Sequence, residues 1–300
     1  MSDAARKRIK AALQALVSVC LIIFVFRQLD LEQVRSVRLD MQRLPLLAVA
    51  LLLFNLSKAV SARRLNLYQR HAGILLSERE NLQLYYAGMF LNLFLPGGIG
   101  GDGYKILVLH RRGAASVRTL LWVTLLDRVS GLLILVFLAC MMTPFLTLPW
   151  PAEPVYALSA TGGMIVVVII LLTHLRWLHM GMRSIGSACG YGFAVQLLQI
   201  ACMAALLACL HVPLLHYLQY LWVFLVSSVA AALPVSVGGL GVREVTFLYC
   251  IRMLHLEPTM GVVASSVFAL ITVLSSLAGA LFLKRFPLGN PNMARGGSDA

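Results

Sequence analysis

Apolar runs of membrane-crossing length alternate with short polar connections along the 300-residue chain. A helix needs roughly 17–25 predominantly apolar residues to cross hydrocarbon about 30 Å thick. Five runs approach that length: Arg43 to Ala62, Val117 to Met142, Pro154 to Leu175, Ser187 to Leu210 and Pro258 to Phe282. Ala11 to Phe26 is shorter, but its flanks can extend it, and no small-residue cleavage site follows, so it reads as an uncleaved first span. The pattern predicts an all-α integral membrane protein with about six full spans.

Two further apolar regions, Glu80 to His110 and Tyr217 to His255, are interrupted. The first contains Leu95-Pro96-Gly97-Gly98-Ile99-Gly100-Gly101-Asp102-Gly103, and the second Leu233-Pro234-Val235-Ser236-Val237-Gly238-Gly239-Leu240-Gly241. Proline lacks the amide a helix needs, and glycine is a poor helix former, so neither region continues as one helix. The breaks share one register. Pro96 and Pro234 are 138 residues apart, and at that offset Gly100-Gly101 meets Gly238-Gly239, Gly103 meets Gly241 and Lys105 meets Arg243. The chain therefore reads as a single transmembrane domain over 1–300 with an internal repeat. Its halves are about 43–142 and 187–283, and residues 286–300 form a short polar tail.

Charge sets the expected topology. Lys58, Arg63, Arg64, Arg70 and Arg79 lie before the first break, and Lys105, Arg111, Arg112 and Arg118 follow it. Both flanks then belong in the cytoplasm, and the segment between is a re-entrant hairpin, permitted where irregular backbone is buried in protein or lines a cavity. The connection from Thr143 to Pro154 and that from His211 to Gln219 carry no Lys or Arg, whereas Arg176, Arg183, Lys284 and Arg285 mark inner ends. The second hairpin must then enter from outside, which makes the repeat inverted. Two fully spanning broken segments, giving eight spans, are the alternative. Arg27, Arg35, Arg38 and Arg43 in the first outer connection run against the charge rule. Both termini are expected in the cytoplasm of a bacterial inner membrane.

Composition agrees with lipid as the main solvent. The chain is 60% hydrophobic and only 12% charged, with mean hydropathy +0.85, against about 25% charged residues in a soluble domain. The net charge of +13 is carried by the connections, so it speaks for membrane orientation rather than nucleic acid. The six cysteines (Cys20, Cys140, Cys189, Cys202, Cys209, Cys250) sit in apolar runs without Cys-x-x-Cys spacing, and the seven histidines sit at loops or span ends as interface residues. No metal and no cofactor is expected. The glycine-rich strings lack the strand and Gly-Lys-Ser/Thr of a nucleotide loop.

The candidate substrate-binding residues are Asn92, Asp102, Lys105, Asp127, Arg128, Arg243 and Glu244. Broken helices of an inverted repeat place a site near the membrane midplane, and a half-helix N-terminus favours an anion. Lys105 and Arg243, just past the breaks, are placed to neutralise a phosphate or carboxylate, with Asp102 and Glu244 to hold them. Asp127 and Arg128, about two turns into a span, should face the interior. Adjacent helical residues point about 100° apart, so each should pair elsewhere: Arg243 or Lys105 with Asp127, Glu244 or Asp102 with Arg128. Bland readings stand beside these. Lys105 is then a cytoplasmic anchor, Arg243-Glu244 an internal ion pair, Arg128 a snorkelling side chain, and Asn55 and Asn92 ties between helices.

Asn92 to Asp102, Asp127-Arg128 with Gly131, and Leu233-Pro234 through Arg243-Glu244 resemble the lysylphosphatidylglycerol synthase transmembrane, flippase-like family over nearly the whole chain. The resemblance implies a fold related to the flippase half of multiple-peptide-resistance proteins, which move aminoacylated phospholipid across the bilayer. Relatives are also associated with hopanoid and polyprenyl-linked glycan pathways. This chain lacks the soluble aminoacyl-transferase domain, which counts against lysyl-lipid as its substrate. Family members often carry Glu-Arg where this chain has Asp127-Arg128. The expectation is a flippase for an anionic or lipid-linked amphipathic substrate and no enzyme activity. The partners expected are membrane lipids and possibly a lipid-biosynthetic enzyme, without nucleic acid. The rival readings are a membrane-embedded enzyme on polyprenyl phosphate, which usually needs clustered acids for a divalent metal, and a scaffold for a lipid-modifying enzyme.

Overall fold

The computed structural model describes residues 43–94, 100–177, 180–232 and 241–286. Its helices are α1 (Leu44–His71), α2 (Glu78–Phe94), α3 (Gly100–Arg111), α4 (Val117–Met142), α5 (Ala152–Trp177), α6 (Met182–Cys209), α7 (Tyr217–Ala231), α8 (Val242–Met253), α9 (Pro258–Leu277) and α10 (Ala280–Leu283). There is no strand among the described residues. The expected span Ala11 to Phe26, the residues Pro96, Gly97, Gly98, Pro234, Gly238 and Gly239 of the breaks, and the tail beyond Phe286 lie outside them.

Six described helices are long and apolar enough to cross a membrane. Five are the runs read from the sequence. The sixth, Leu214–Ala231, is the first limb of the second broken region. It qualifies because a 3-10 turn at Leu214–His216 leads straight into α7. Large apolar side chains face outward, among them Leu52 (70% exposed), Leu158 (74%) and Met164 (71%). Contiguous exposed apolar surface is foreign to a soluble monomer and suits contact with acyl chains.

Two helices outrun their apolar cores. α6 starts at Met182, five residues before Ser187, because Gly181 is extended and the polar first turn still completes its backbone bonds. α1 continues through Arg63, Arg64, Asn66, Gln69 and Arg70 to His71. At 28 residues it is about 42 Å long. The stretch from Lys58, read from its charges as a cytoplasmic connection, is helix instead. Its polar side chains stay because neighbouring helices cover them: Ser57, Ser61, Arg64 and Tyr68 are all buried, at helical spacing on one face.

α1 and α6 pack antiparallel along their whole length. The Arg43 guanidinium donates to the Ala208 carbonyl at 2.5 Å at one end, and His71 meets the Ser184 hydroxyl at 2.9 Å at the other. The Arg43 end also gathers the end of α4 and the start of α7, where the Trp222 indole donates to the Ala139 carbonyl at 3.2 Å and the Thr143 hydroxyl at 3.1 Å. The His71 end gathers the start of α2, through Arg70 and Glu78 at 2.9 Å, and the end of α5, through Tyr68 and His174 at 2.8 Å. His174 is therefore a buried helix tie rather than the interface residue its position suggested. There Ser77 caps α2, and its hydroxyl holds the Glu80 carboxyl below the ordinary carboxylate range.

Each broken region is a hairpin with both open ends on one side. In the first, the Gly101 amide donates to Asn92 Oδ1 at 2.7 Å, Gly101 lies against Gly88, and Lys105 Nζ is 5.1 Å from the Tyr85 ring centre. These pairs diverge in sequence from the tip, so α2 and α3 run antiparallel. Their open ends lie at the His71 end, where the Tyr104 hydroxyl donates to the Phe286 carbonyl at 2.7 Å. In the second, the Tyr220 hydroxyl donates to the Glu257 carbonyl at 3.0 Å. His211, His216, Tyr220, His255 and Glu257 line one cavity of about 230 Å³ at the Arg43 end. The hairpins thus enter from opposite faces, and the eight-span alternative does not fit. The 138-residue register recurs in the helices: α1 at 44–71 maps onto α6 at 182–209.

Candidate functional site

The interior between the hairpins is polar on one side and aromatic on the other. On the polar side Arg64 of α1 reaches α4, its Nε 2.8 Å from Asp127 Oδ1 and its Nη2 donating to the Asp127 carbonyl at 3.0 Å. Arg64 is 5% exposed and Asp127 8%. Room for the guanidinium comes from Gly131, where a β-carbon would lie 3.0 Å from Nη2, and from Gly192 of α6. Arg64 Nη1 and Gln196 Oε1 have no hydrogen-bond partner among the described residues.

Linked to that pair through Arg128, the residue after Asp127, Asp102 of α3 bridges two cations. Lys105 Nζ is 2.7 Å from Asp102 Oδ1, and Arg128 Nε binds Asp102 Oδ2. Asp102 and Lys105 are buried, while the Arg128 side chain is 41% exposed. Asp102 therefore staples the first hairpin to α4. Breaking a buried pair by removing one partner is far more costly than never having built it.

On the aromatic side, Arg243 enters from the tip of the second hairpin and Lys58 from the middle of α1. The Arg243 guanidinium lies 4.8 Å from the Phe268 ring centre and 5.7 Å from that of Phe224. Lys58 Nζ lies 4.6 Å over the Phe54 ring. Neither cation has an ion-pair partner among the described residues. An unpaired cation at the centre of a membrane helix costs about 2.5–3.5 kcal/mol on insertion scales. A ring face returns about 0.5–2 kcal/mol, which leaves a deficit at both. The inner charges are Lys58, Arg64, Lys105, Arg128 and Arg243 against Asp102, Asp127 and Glu244, so the interior is electropositive.

Glu244 does not offset Arg243 by an ion pair, because it caps its own helix. The Gly241 amide donates to Glu244 Oε2 at 2.8 Å, and the Ser265 hydroxyl lies 3.5 Å from Oε1. Gly241 has φ +82°, a backbone that L side chains rarely adopt. Gly241→Ala is expected to cost about 1–3 kcal/mol, read as a lower melting temperature in detergent. An unchanged midpoint would show that the tip relaxes freely.

The pairings follow the expectation at Arg128 and Lys105 and depart from it at Asp127. Asp127 meets neither Arg243 nor Lys105 but Arg64, because α1 continues past its apolar core and presents Arg64 to α4. Arg128 meets Asp102, one of its two expected partners. Lys105 is buried in an ion pair rather than reaching the interface. Asn92 caps α3, and Asn55 joins α1 to Tyr86 of α2 at 2.8 Å and Ser275 of α9 at 3.0 Å, so both act as ties. Lys58 and Arg64 were missed, although the buried polar stripe of Ser57, Ser61, Arg64 and Tyr68 was available as a signal.

Residues 11–185 match the family model described as lysylphosphatidylglycerol synthase TM region. The matched stretch includes Lys58, Arg64, the first hairpin and Asp127-Arg128, whereas Arg243 and Glu244 lie beyond it. No curated protein and no solved structure gave a match. The match spans more than half of the 300 residues and is joined by six apolar helices and a shared break motif; the chain belongs to the lysylphosphatidylglycerol synthase transmembrane-region family.

Proposed function

We propose that the protein translocates an anionic or lipid-linked amphipathic substrate across the membrane, its headgroup passing between the two hairpins while its tails stay in lipid. The observation that carries this reading is the surplus of cations where hairpins from opposite faces approach the midplane. Inverted repeats with broken helices recur in transporters, with the site at the repeat interface and one half rocking against the other. An electropositive interior favours a negative headgroup and opposes a cationic one.

The His71 end carries Arg70, Arg79, Arg111, Arg112, Arg118, Lys284 and Arg285, more cations than Arg43 and Arg252 among the described residues at the Arg43 end. By the positive-inside rule the first is the cytoplasmic face of a bacterial plasma membrane.

The test is translocation of headgroup-labelled phosphatidylglycerol in proteoliposomes containing the purified chain. Wild type should move the lipid between leaflets. Arg243→Ala and Asp127→Ala should each slow it by about ten-fold or more, the equivalent of losing one charge-assisted contact. Equal rates in protein-free and protein-containing vesicles would return the chain to the enzyme or scaffold readings.

A further inference from the structure

The cavity at the Arg43 end is lined by residues of two loops. One follows α6 and carries His211 and His216, and the other follows α8 and carries His255 and Glu257. Tyr220 of α7 joins them, its hydroxyl donating to the Glu257 carbonyl at 3.0 Å.

Two of these histidines sit where the backbone asks for glycine. His211 (φ 60°) and His255 (φ 54°) are the non-glycine residues of positive φ among the described residues. Each ends its helix through the same pair of backbone bonds. The His211 and Val212 amides donate to the Ala208 and Leu207 carbonyls, and the His255 and Leu256 amides to those of Arg252 and Ile251. The first half closes α1 and α3 with the same bonds, but on Gly73 and Gly113. In the 138-residue register His211 is the counterpart of Gly73. The second half thus carries an imidazole at both positions where a β-carbon is disfavoured, and both line one cavity. There they join His216, whose Nδ1 is buried without a partner among the described residues.

Neutral imidazoles can crowd without repulsion, and charged ones cannot. An imidazole ordinarily changes charge between about pH 5 and 8. As a sphere the cavity is about 8 Å across, less than the screening length of about 10 Å in dilute salt. The other ionisable groups on the elements packed here are Arg43 of α1, Tyr217 and Tyr220 of α7, Arg252 of α8, Glu257, and the buried thiols of Cys209 and Cys250. Charges added on the histidines therefore join two fixed cations and meet one carboxylate.

We propose that His211, His216 and His255 form an acid-sensitive latch on the open end of the second hairpin. Neutral, they let the two loops close through Tyr220 and Glu257. Protonated, they drive the loops apart and free the start of α7 from the end of α8. The latch is independent of the translocation reading.

The test is hydrogen exchange of the full chain in detergent, read by mass spectrometry and corrected for the intrinsic pH dependence of exchange. It compares about pH 7.5 with about pH 5.5, across the imidazole range. Residues 207–216 and 251–260 should exchange about ten-fold faster at the lower pH, the effect of one further proton bound on opening over one pH unit. The loop 143–151, at the same end and without histidine, should not change. His211→Gly/His255→Gly adopts the residue of the first half, so it should keep the fold and lose the response. His211→Lys/His255→Lys fixes the charge and should exchange fast already at the higher pH. Equal corrected rates at both pH values in wild type, a response confined to one of the two loops, or an undiminished response in His211→Gly/His255→Gly would overturn the latch.

Discussion

Arg64→Ala is expected to lose about 3–5 kcal/mol of stability, because it strands a buried carboxylate at Asp127 with no cation to answer it. The side chain makes two hydrogen bonds to one residue, one to the carboxylate and one to the backbone carbonyl. Both acceptors stay buried when it is truncated, and Gly131 and Gly192 leave nothing to fill the gap. The apparent melting temperature in detergent should therefore drop well beyond that of an outward-facing control such as Leu158→Ala. The double variant Arg64→Met/Asp127→Leu should recover much of the loss, since a buried pair replaced by apolar groups of similar size is often neutral. If the double variant melts no higher than Arg64→Ala, the pair is not the source of the instability.

Gly101→Ala and Gly103→Ala should act in opposite directions, although the glycines are two residues apart. A β-carbon at Gly101 would overlap the Gly88 carbonyl of α2, a backbone atom that cannot swing aside. The limbs of the first hairpin would have to part, taking the Asn92 cap and the Asp102 staple with them. The expected loss is about 1–3 kcal/mol, as for overpacking elsewhere. A β-carbon at Gly103 meets nothing within 4 Å, and Gly103 is exposed inside a helix. Alanine there should stabilise by about 0.5–1 kcal/mol through helix propensity. Melting curves of the two variants beside wild type decide the matter. A loss at both positions would mean that the glycine string is needed for its flexibility and not for close packing.

That contrast marks where the sequence stops being legible. Gly101 and Gly103 belong to one repeated string, and nothing in the string says that one touches backbone and the other faces open space. The spans were legible because hydropathy reports the solvent, and lipid is a demanding one. The hairpins were legible because proline and glycine forbid a continuous helix and because arginine counts put both flanks on one side. Arg64 was not legible. Its partner lies 63 residues away, and the end of an apolar run is where a cation normally anchors in the cytoplasm. Only the covering helices decide that it is buried. Glu244 was misread for the opposite reason. Its contact is local, to Gly241, and the adjacent Arg243 makes an ion pair an equally good reading of the same sequence.

The antiparallel pairing of α1 with α6 relates the two halves by a pseudo-dyad lying in the membrane plane, but the chemistry does not obey it. In the 138-residue register the counterpart of Arg64 is Cys202, and that of Asp127 is Ser265. Separating the first half along its seams uncovers ions that must find water. The seams of the second hold phenyl rings and methyl groups beside Arg243 and Glu244, whose contacts across them are ring faces and a hydroxyl. The duplicated scaffold thus carries two unequal seams, one joined by buried ion pairs and the other, among the described residues, without one.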